Sequence, residues 1–150
     1  MWTPLRQEIS QGDIFLSIPF PIIRFQEGDI TITHQACPGM LVTYDCEYDK
    51  KNVPVALLAQ VRLLDPMPDS VKGNIRADRI IRNFPLVLCA ELEESFVEFG
   101  NVASVPKVLL QHLSENGKRI ASLDDQSRLR LQDRVAAFIG LGRNEPQQPG

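Results

Sequence analysis

The chain has 150 residues, of which 43% are hydrophobic and 23% charged, a balance that suits one soluble domain with a buried core and excludes a low-complexity or fibrous chain. The formal net charge is -3, so contact with nucleic acid has to come from a local basic patch and not from a global field. No apolar run approaches the ~20 residues of a membrane span, the first eight residues carry no signal-peptide core, and three cysteines are too few for a disulfide framework, so the expected location is the cytoplasm, with no membrane contact.

Residues 1 to 11 read as a lead-in that Trp2 and Leu5 pin to the body. A strand is expected from Asp13 to Ile18, where β-branched and aromatic residues dominate. Pro19 and Pro21 should interrupt it, because proline cannot donate to a ladder, and Ile22 to Phe25 would resume as an edge strand. Gln26 to Asp29 carries a turn signature. Ile30 to His34 then alternates with period two, as a hairpin arm with one wet face does. Ala36 to Gly39 reads as a second turn.

Two apolar runs follow, Met40 to Tyr44 and Val55 to Leu64, both read as buried strands around a polar knot from Asp45 to Asn52. The knot gathers Asp45, Cys46, Glu47, Tyr48, Asp49 and Lys50 at a strand end, where loops commonly carry function. A thiolate at Cys46 is disfavoured by its acidic neighbours, so a buried, inert thiol is expected there. Asp45, Glu47 and Asp49 alternate on one side, but that spacing is too common to specify a cation. His34, Cys37 and Cys46 lack the second ligand pair of a structural zinc site, so neither a metal nor another cofactor is expected.

Asp65 to Ser70 breaks the chain. A short helix is expected from about Asn74 to Arg82, within the most basic stretch of the molecule, which carries Lys72, Arg76, Arg79 and Arg82 with Asp78 as its only acid. Two readings stay open for it: a phosphate-contacting patch and a solvated helix face. Arg62, which interrupts the preceding run, reads either as a functional cation or as a rim charge. Phe84 to Ala90 and Ser95 to Phe99 read as strands, the second ended by Gly100 and Asn101. Pro106 suits a helix start, followed by a helix from Lys107 to Leu113 that carries His112 on its surface. The clearest helix follows Ser122, with capping-box spacing from Ser122 to Asp125 and a stripe of Leu131, Val135, Phe138 and Ile139. Gly140 to Gly142 supplies its stop. Asn144 to Gly150 reads as a disordered tail, which leaves a single domain over residues 1–143.

This order of short strands, a mid-chain helix and a terminal helix makes an α+β chain, mainly β. It resembles the MazF/PemK family of bacterial toxins. The segments that carry the resemblance are Gly12 to Phe15, Gly39 to Thr43, Glu94 to Val105, and Arg119 to Asp125 with the helix ending Phe138 to Leu141. Together they cover roughly half of the chain, and each alone is weakly specific. The resemblance implies a small SH3-like barrel. It also implies RNA binding, endoribonuclease activity, a homodimer and an antitoxin-like protein partner. Two positions depart from the family pattern. Pro38 precedes the second core strand where the family has Arg, and Val55 to Val61 holds no Thr or Ser. Cleavage would then recruit other groups, Arg24 to stabilise phosphate charge and His34 or Asp45 as base. The competing expectation is a non-catalytic protein-interaction module on the same barrel.

Overall fold

The computed structural model describes residues 1–140. The expected stop at Gly142 and the tail from Asn144 to Gly150 lie outside the described residues. Among the described residues seven strands form one antiparallel sheet, and four helices pack around it: an α+β fold, mainly β. In chain order the elements are β1 (Trp2–Thr3), β2 (Ile14–Gln26), β3 (Asp29–Leu41), α1 (Asp45–Tyr48), β4 (Val55–Leu63), α2 (Asp69–Arg76), β5 (Asn83–Leu86), β6 (Ser95–Pro106), α3 (Lys107–Glu115), β7 (Arg119–Leu123) and α4 (Asp125–Gly140). The strand order is β1-β7-β2-β3-β4-β6-β5, and the sheet is open.

Alternation along each strand splits the core between the two faces. Ile14, Met40, Ala59, Val97 and Leu123 project to one face, where α4 covers them with Leu131 and the partly buried Val135 and Phe138. Their sequence neighbours Phe15, Leu41 and Leu58 project to the other, joined by Ile18, Phe20, Ala103 and Val105 beneath Leu110 and Leu113 of α3. A third, small cluster of Leu64, Ile75 and Phe96 seats α2. Ile139, expected on the α4 stripe, is 65% exposed, because it falls one step past the turn that carries Leu131 and Phe138 inward.

The prolines do not interrupt β2. Pro19 lies opposite Ala36 and Pro21 opposite His34, and pairing runs on to Gln26 and Asp29. Two residues apart, the prolines present the same side of the backbone. Past Leu16, whose amide donates to the Lys118 carbonyl at 2.8 Å, the outer edge of β2 is unpaired among the described residues, so the missing N–H groups face that edge and no ladder bond is lost. The expected turn at Ala36 to Gly39 is likewise strand. Gly39 is needed there because Phe20 packs over it: a Cβ would stand 3.1 Å from the Phe20 ring. The real turn is Glu27 and Gly28, with φ of 53° and 82°, the two-residue connection whose twist matches the flanking strands. A bulge between Phe15 and Ile18, with Ser17 at φ 64°, swings the hairpin away from β7.

The helix expected over Asn74 to Arg82 occurs earlier, at Asp69–Arg76; the chain leaves it at Asp78, whose φ is 59°. The strand expected over Phe84 to Ala90 is Asn83–Leu86, and β6 runs through Gly100 and Asn101 to Pro106. The capping residue of α4 is Asp124 and not Ser122: Asp124 accepts from the Ser127 amide at 2.7 Å. The Ser122 hydroxyl instead donates to Asp13 at 2.6 Å inside the core.

Candidate nucleic-acid interface

Directly opposed residues of an antiparallel pair share a face, and residues two apart on a strand do too. Arg24 is opposite Thr31, which shares its face with Thr33, Gln35, Cys37 and Gly39. Gly39 is opposite Gln60, Gln60 opposite Glu98, and Glu98 opposite Asn83. Arg62, two beyond Gln60, completes the row. The α3-side face of the sheet thus carries a buried apolar part, with Phe15, Phe20, Leu41 and Leu58 beneath α3, and an uncovered part in which Arg24 and Arg62 stand among neutral hydrogen-bonding side chains, with Glu98 as its carboxylate.

A large bulge in β6 shapes the centre of this face. Ala59 is opposite Val102 while the next residue, Gln60, is opposite Glu98, so residues 99–101 have no counterpart. The bulge lets the Phe99 amide donate to the Arg82 carbonyl at 3.0 Å and turns the Asn101 amide toward the Gln60 carbonyl oxygen, to which it donates. Gln60 in turn donates to Cys37 Sγ at 3.3 Å. Arg62 meets Glu98 at 2.9 Å and lies over the Phe96 ring, 5.7 Å from its centroid. Arg82 reaches Glu98 at 4.0 Å, lying across Gly100. Two exposed guanidinium groups therefore share one half-buried carboxylate. One positive charge remains uncompensated, with Arg24 further along the hairpin.

The remaining basic residues are deployed otherwise. Arg76 forms a two-point pair with Glu94 at 2.8 and 3.0 Å, which raises the Arg76 value and lowers that of Glu94 through their shared hydrogen bonds. Lys72 sits 3.7 and 3.8 Å from Asp65 and Asp69. Arg79 is exposed, with no ion pair among the described residues. Asp78 anchors the stretch to α4 through Arg134 at 2.5 Å and Arg130 at 3.5 Å. Of the four basic residues in that stretch, Arg82 alone joins Arg62.

The expected catalytic trio is not assembled. Arg24 and His34 project from opposite faces of the hairpin. His34 lines a cleft of about 540 Å³ with Pro19, Pro21 and the end of β6. Asp45 has both oxygens engaged, one by the Gln11 amide and one by Arg128, each at 2.7 Å. The Asp45 to Asp49 knot is a helical turn stapled in place. Lys107 donates to the Glu47 and Lys50 carbonyls at 3.3 and 2.9 Å and rests over the Tyr48 ring, while Glu47 pairs with Lys50 at 2.6 Å. Asp49 and Cys46 are exposed; Cys46 is not the buried thiol expected, because its short helix lies on the surface with no residue buried. Among the described residues no three His, Cys, Asp or Glu side chains gather closely enough to hold a metal.

Glu98, Gln60 and Asn101 were not anticipated. Asn101 reads as punctuation after Gly100, and only the bulge turns it back onto the sheet. No protein-family model matches the chain, and no curated protein matches it significantly.

Proposed function

We propose that the chain is an RNA-binding protein of a MazF/PemK-like lineage, with the α3-side sheet face as its RNA surface. The observation that carries this reading is the sharing of Glu98 by Arg62 and Arg82, flanked by Gln60 and Asn101 and continued by Arg24, Thr31 and Thr33. Guanidinium groups suit phosphate oxygens, and the amides suit single-stranded base edges. The sheet curls enough for β2 and β6 to line one cleft, which supports the SH3-like barrel of the resemblance. In the endoribonuclease form of this reading, Glu98 is the base and the two arginines hold the phosphate. A cytoplasmic location and an antitoxin-like partner belong to the same lineage reading. No helix among the described residues is long and apolar enough to cross a membrane.

The test is binding and cleavage of single-stranded RNA across a salt titration. The variants are Arg24→Ala/Arg62→Ala/Arg82→Ala and, as a control, Arg76→Ala/Arg79→Ala. Binding lost in the first and kept in the second supports the reading, and cleavage abolished by Glu98→Gln with binding retained assigns the base. Equal binding by both variants sinks this surface. The second reading, a protein-interaction module, is favoured by the apolar outer face of the β2–β3 hairpin, where Ile23 and Phe25 are each 69% exposed. It predicts no RNA binding by pure protein.

A further inference from the structure

β6 runs past β5 with one edge bare. β5 pairs β6 only from Ser95 to Glu98, while β4 pairs it as far as Pro106. Alternation fixes where each backbone group beyond the bulge points. The Lys107 amide donates to the Pro54 carbonyl at 2.9 Å, so in this register Ala103 and Val105 bond β4 and Val102 and Ser104 face away from it. Leu57, opposite Ser104, shows the same parity. Its amide and carbonyl are both taken on the β3 side, by Thr43 Oγ1 and the Val42 amide. The N–H and C=O groups of Val102 and Ser104 therefore form a row of two donors and two acceptors with no partner among the described residues. Exposed edges are commonly blunted by charges or proline, but Val102 to Val105 carries neither.

This row opens on the cleft of about 540 Å³, which Pro19, Pro21 and His34 line from the hairpin and Leu109 lines from α3. The prolines keep β2 from closing the sheet here. Their nitrogens lie on the outer edge of β2 and carry no hydrogen to donate across to β6.

We propose that the cleft takes an extended, uncharged peptide segment of a partner protein, added as a strand to the β6 edge at Val102 and Ser104. Paired donors and acceptors two residues apart match the repeat of an extended chain and of no other common ligand. At ~3.4 Å per residue, the stretch from Val102 to Pro106 is about 14 Å long and takes a segment of about five residues. No Lys, Arg, Asp or Glu lines the cleft, so a charged segment would lose its hydration without a partner. The two proline rings, Leu109 and the 39% exposed Val102 suit apolar side chains instead. RNA is disfavoured for the same reason, because phosphate finds no cation there. The inference does not rest on the RNA reading, whose arginines lie on the opposite face of the hairpin.

The test is selection of a random octapeptide display library on the full chain, with the recovered peptides then synthesised and their affinities measured by calorimetry. Uncharged peptides should be selected. Ser104→Pro removes one donor facing the cleft and none of the β4 ladder, so it should weaken their binding at least about tenfold with the circular dichroism spectrum unchanged. Ser104→Ala keeps that amide and should bind within about twofold of wild type. Methylating the peptide amides one at a time should weaken binding at alternate positions and spare those between, the period of two that strand addition imposes. This scan uses the unaltered protein, so it decides the matter even where Ser104→Pro unfolds. A chain that selects no peptide overturns the proposal, including one in which Ser104→Pro weakens binding of oligouridine or self-association instead. So do selected peptides that bind a folded Ser104→Pro as tightly as wild type, or a methylation scan without the period of two.

Discussion

At Asp13 the chain buries a carboxylate completely, beside an Arg119 side chain that is 8% exposed. Asp13 accepts from Arg119 at 2.8 Å, from the Ser122 hydroxyl at 2.6 Å and from the Ser10 amide at 2.9 Å. Arg119 also donates to the Glu8 carbonyl at 3.1 Å and the Arg6 carbonyl at 2.5 Å, tying the lead-in segment to β7. Burial pushes the Asp13 carboxyl above its ordinary 3.8, outweighing the hydrogen bonds from Ser122, Ser10 and Arg119 that favour the ion. The folded chain therefore binds this proton more readily than the unfolded chain. Asp13's contribution to stability is full below pH 3.8 and declines as pH rises through its folded-state value. Removing the charge is still costly, because Arg119 would be left buried with carbonyl partners alone. Asp13→Asn should cost about 3–5 kcal/mol in urea unfolding at neutral pH. Adding Arg119→Met should recover part of that loss, and a loss under about 1 kcal/mol for the single variant would mean the pair is dispensable.

At the scale of elements, local chemistry sets the ends and distant contacts set the course. The Glu27–Gly28 turn was legible, since Glu-Gly between alternating runs demands positive φ. Nothing lies within 4 Å of a Cβ added at Gly28, so Gly28→Ala meets only backbone strain, about 1 kcal/mol. Hydrogen exchange should speed up in the hairpin amides from Ile22 to Thr33 and leave β4 and β6 unchanged; a global change would show that the hairpin folds as one unit with the core. The α4 cap carries a pH signature. The Ser127 amide, the Ser127 hydroxyl and the N-terminal ammonium 3.2 Å away lower the Asp124 carboxyl to about 2. A depressed folded-state value gives stability that is present above pH 3.8 and lost as pH falls through about 2. Asp124→Asn should therefore flatten the acid limb of the Tm profile between pH 4 and pH 2. The β2 continuation past Pro19 was not legible, because periodicity does not reveal which backbone edge is free. The β6 bulge was hidden for a related reason: its three extra residues are defined only against β4.

For the whole molecule, the distribution of charge matters more than its sum. A chain of net charge -3 can meet nucleic acid only through a local basic patch, and the sequence offers residues 72–82 as the candidate. The fold divides that patch. Lys72 and Arg76 are spent on Asp65, Asp69 and Glu94, whereas Arg82 joins Arg62, twenty residues away in sequence, across β4 and β6. Such a pairing is a property of register, which hydrophobic pattern constrains only where a face is buried, and the uncovered part of this face is polar. The candidate surface consequently offers three cations, Arg24, Arg62 and Arg82, and one of them must stay opposed by Glu98. Counterion release from single-stranded RNA gives a slope of about -0.7 per phosphate neutralised, so the logarithm of affinity should fall with the logarithm of salt at about -1.4 while Glu98 holds one cation. Glu98→Gln frees the shared guanidinium and should raise affinity at low salt and steepen the slope toward about -2. Arg62→Ala should remove about 0.7 from the slope without changing the fold, since Arg62 is the exposed partner of a half-buried carboxylate that keeps Arg82. Fluorescence anisotropy with a short single-stranded RNA at several salt concentrations measures all three slopes. A wild-type slope near zero would mean that the arginines on this face serve Glu98 and the protein surface rather than RNA.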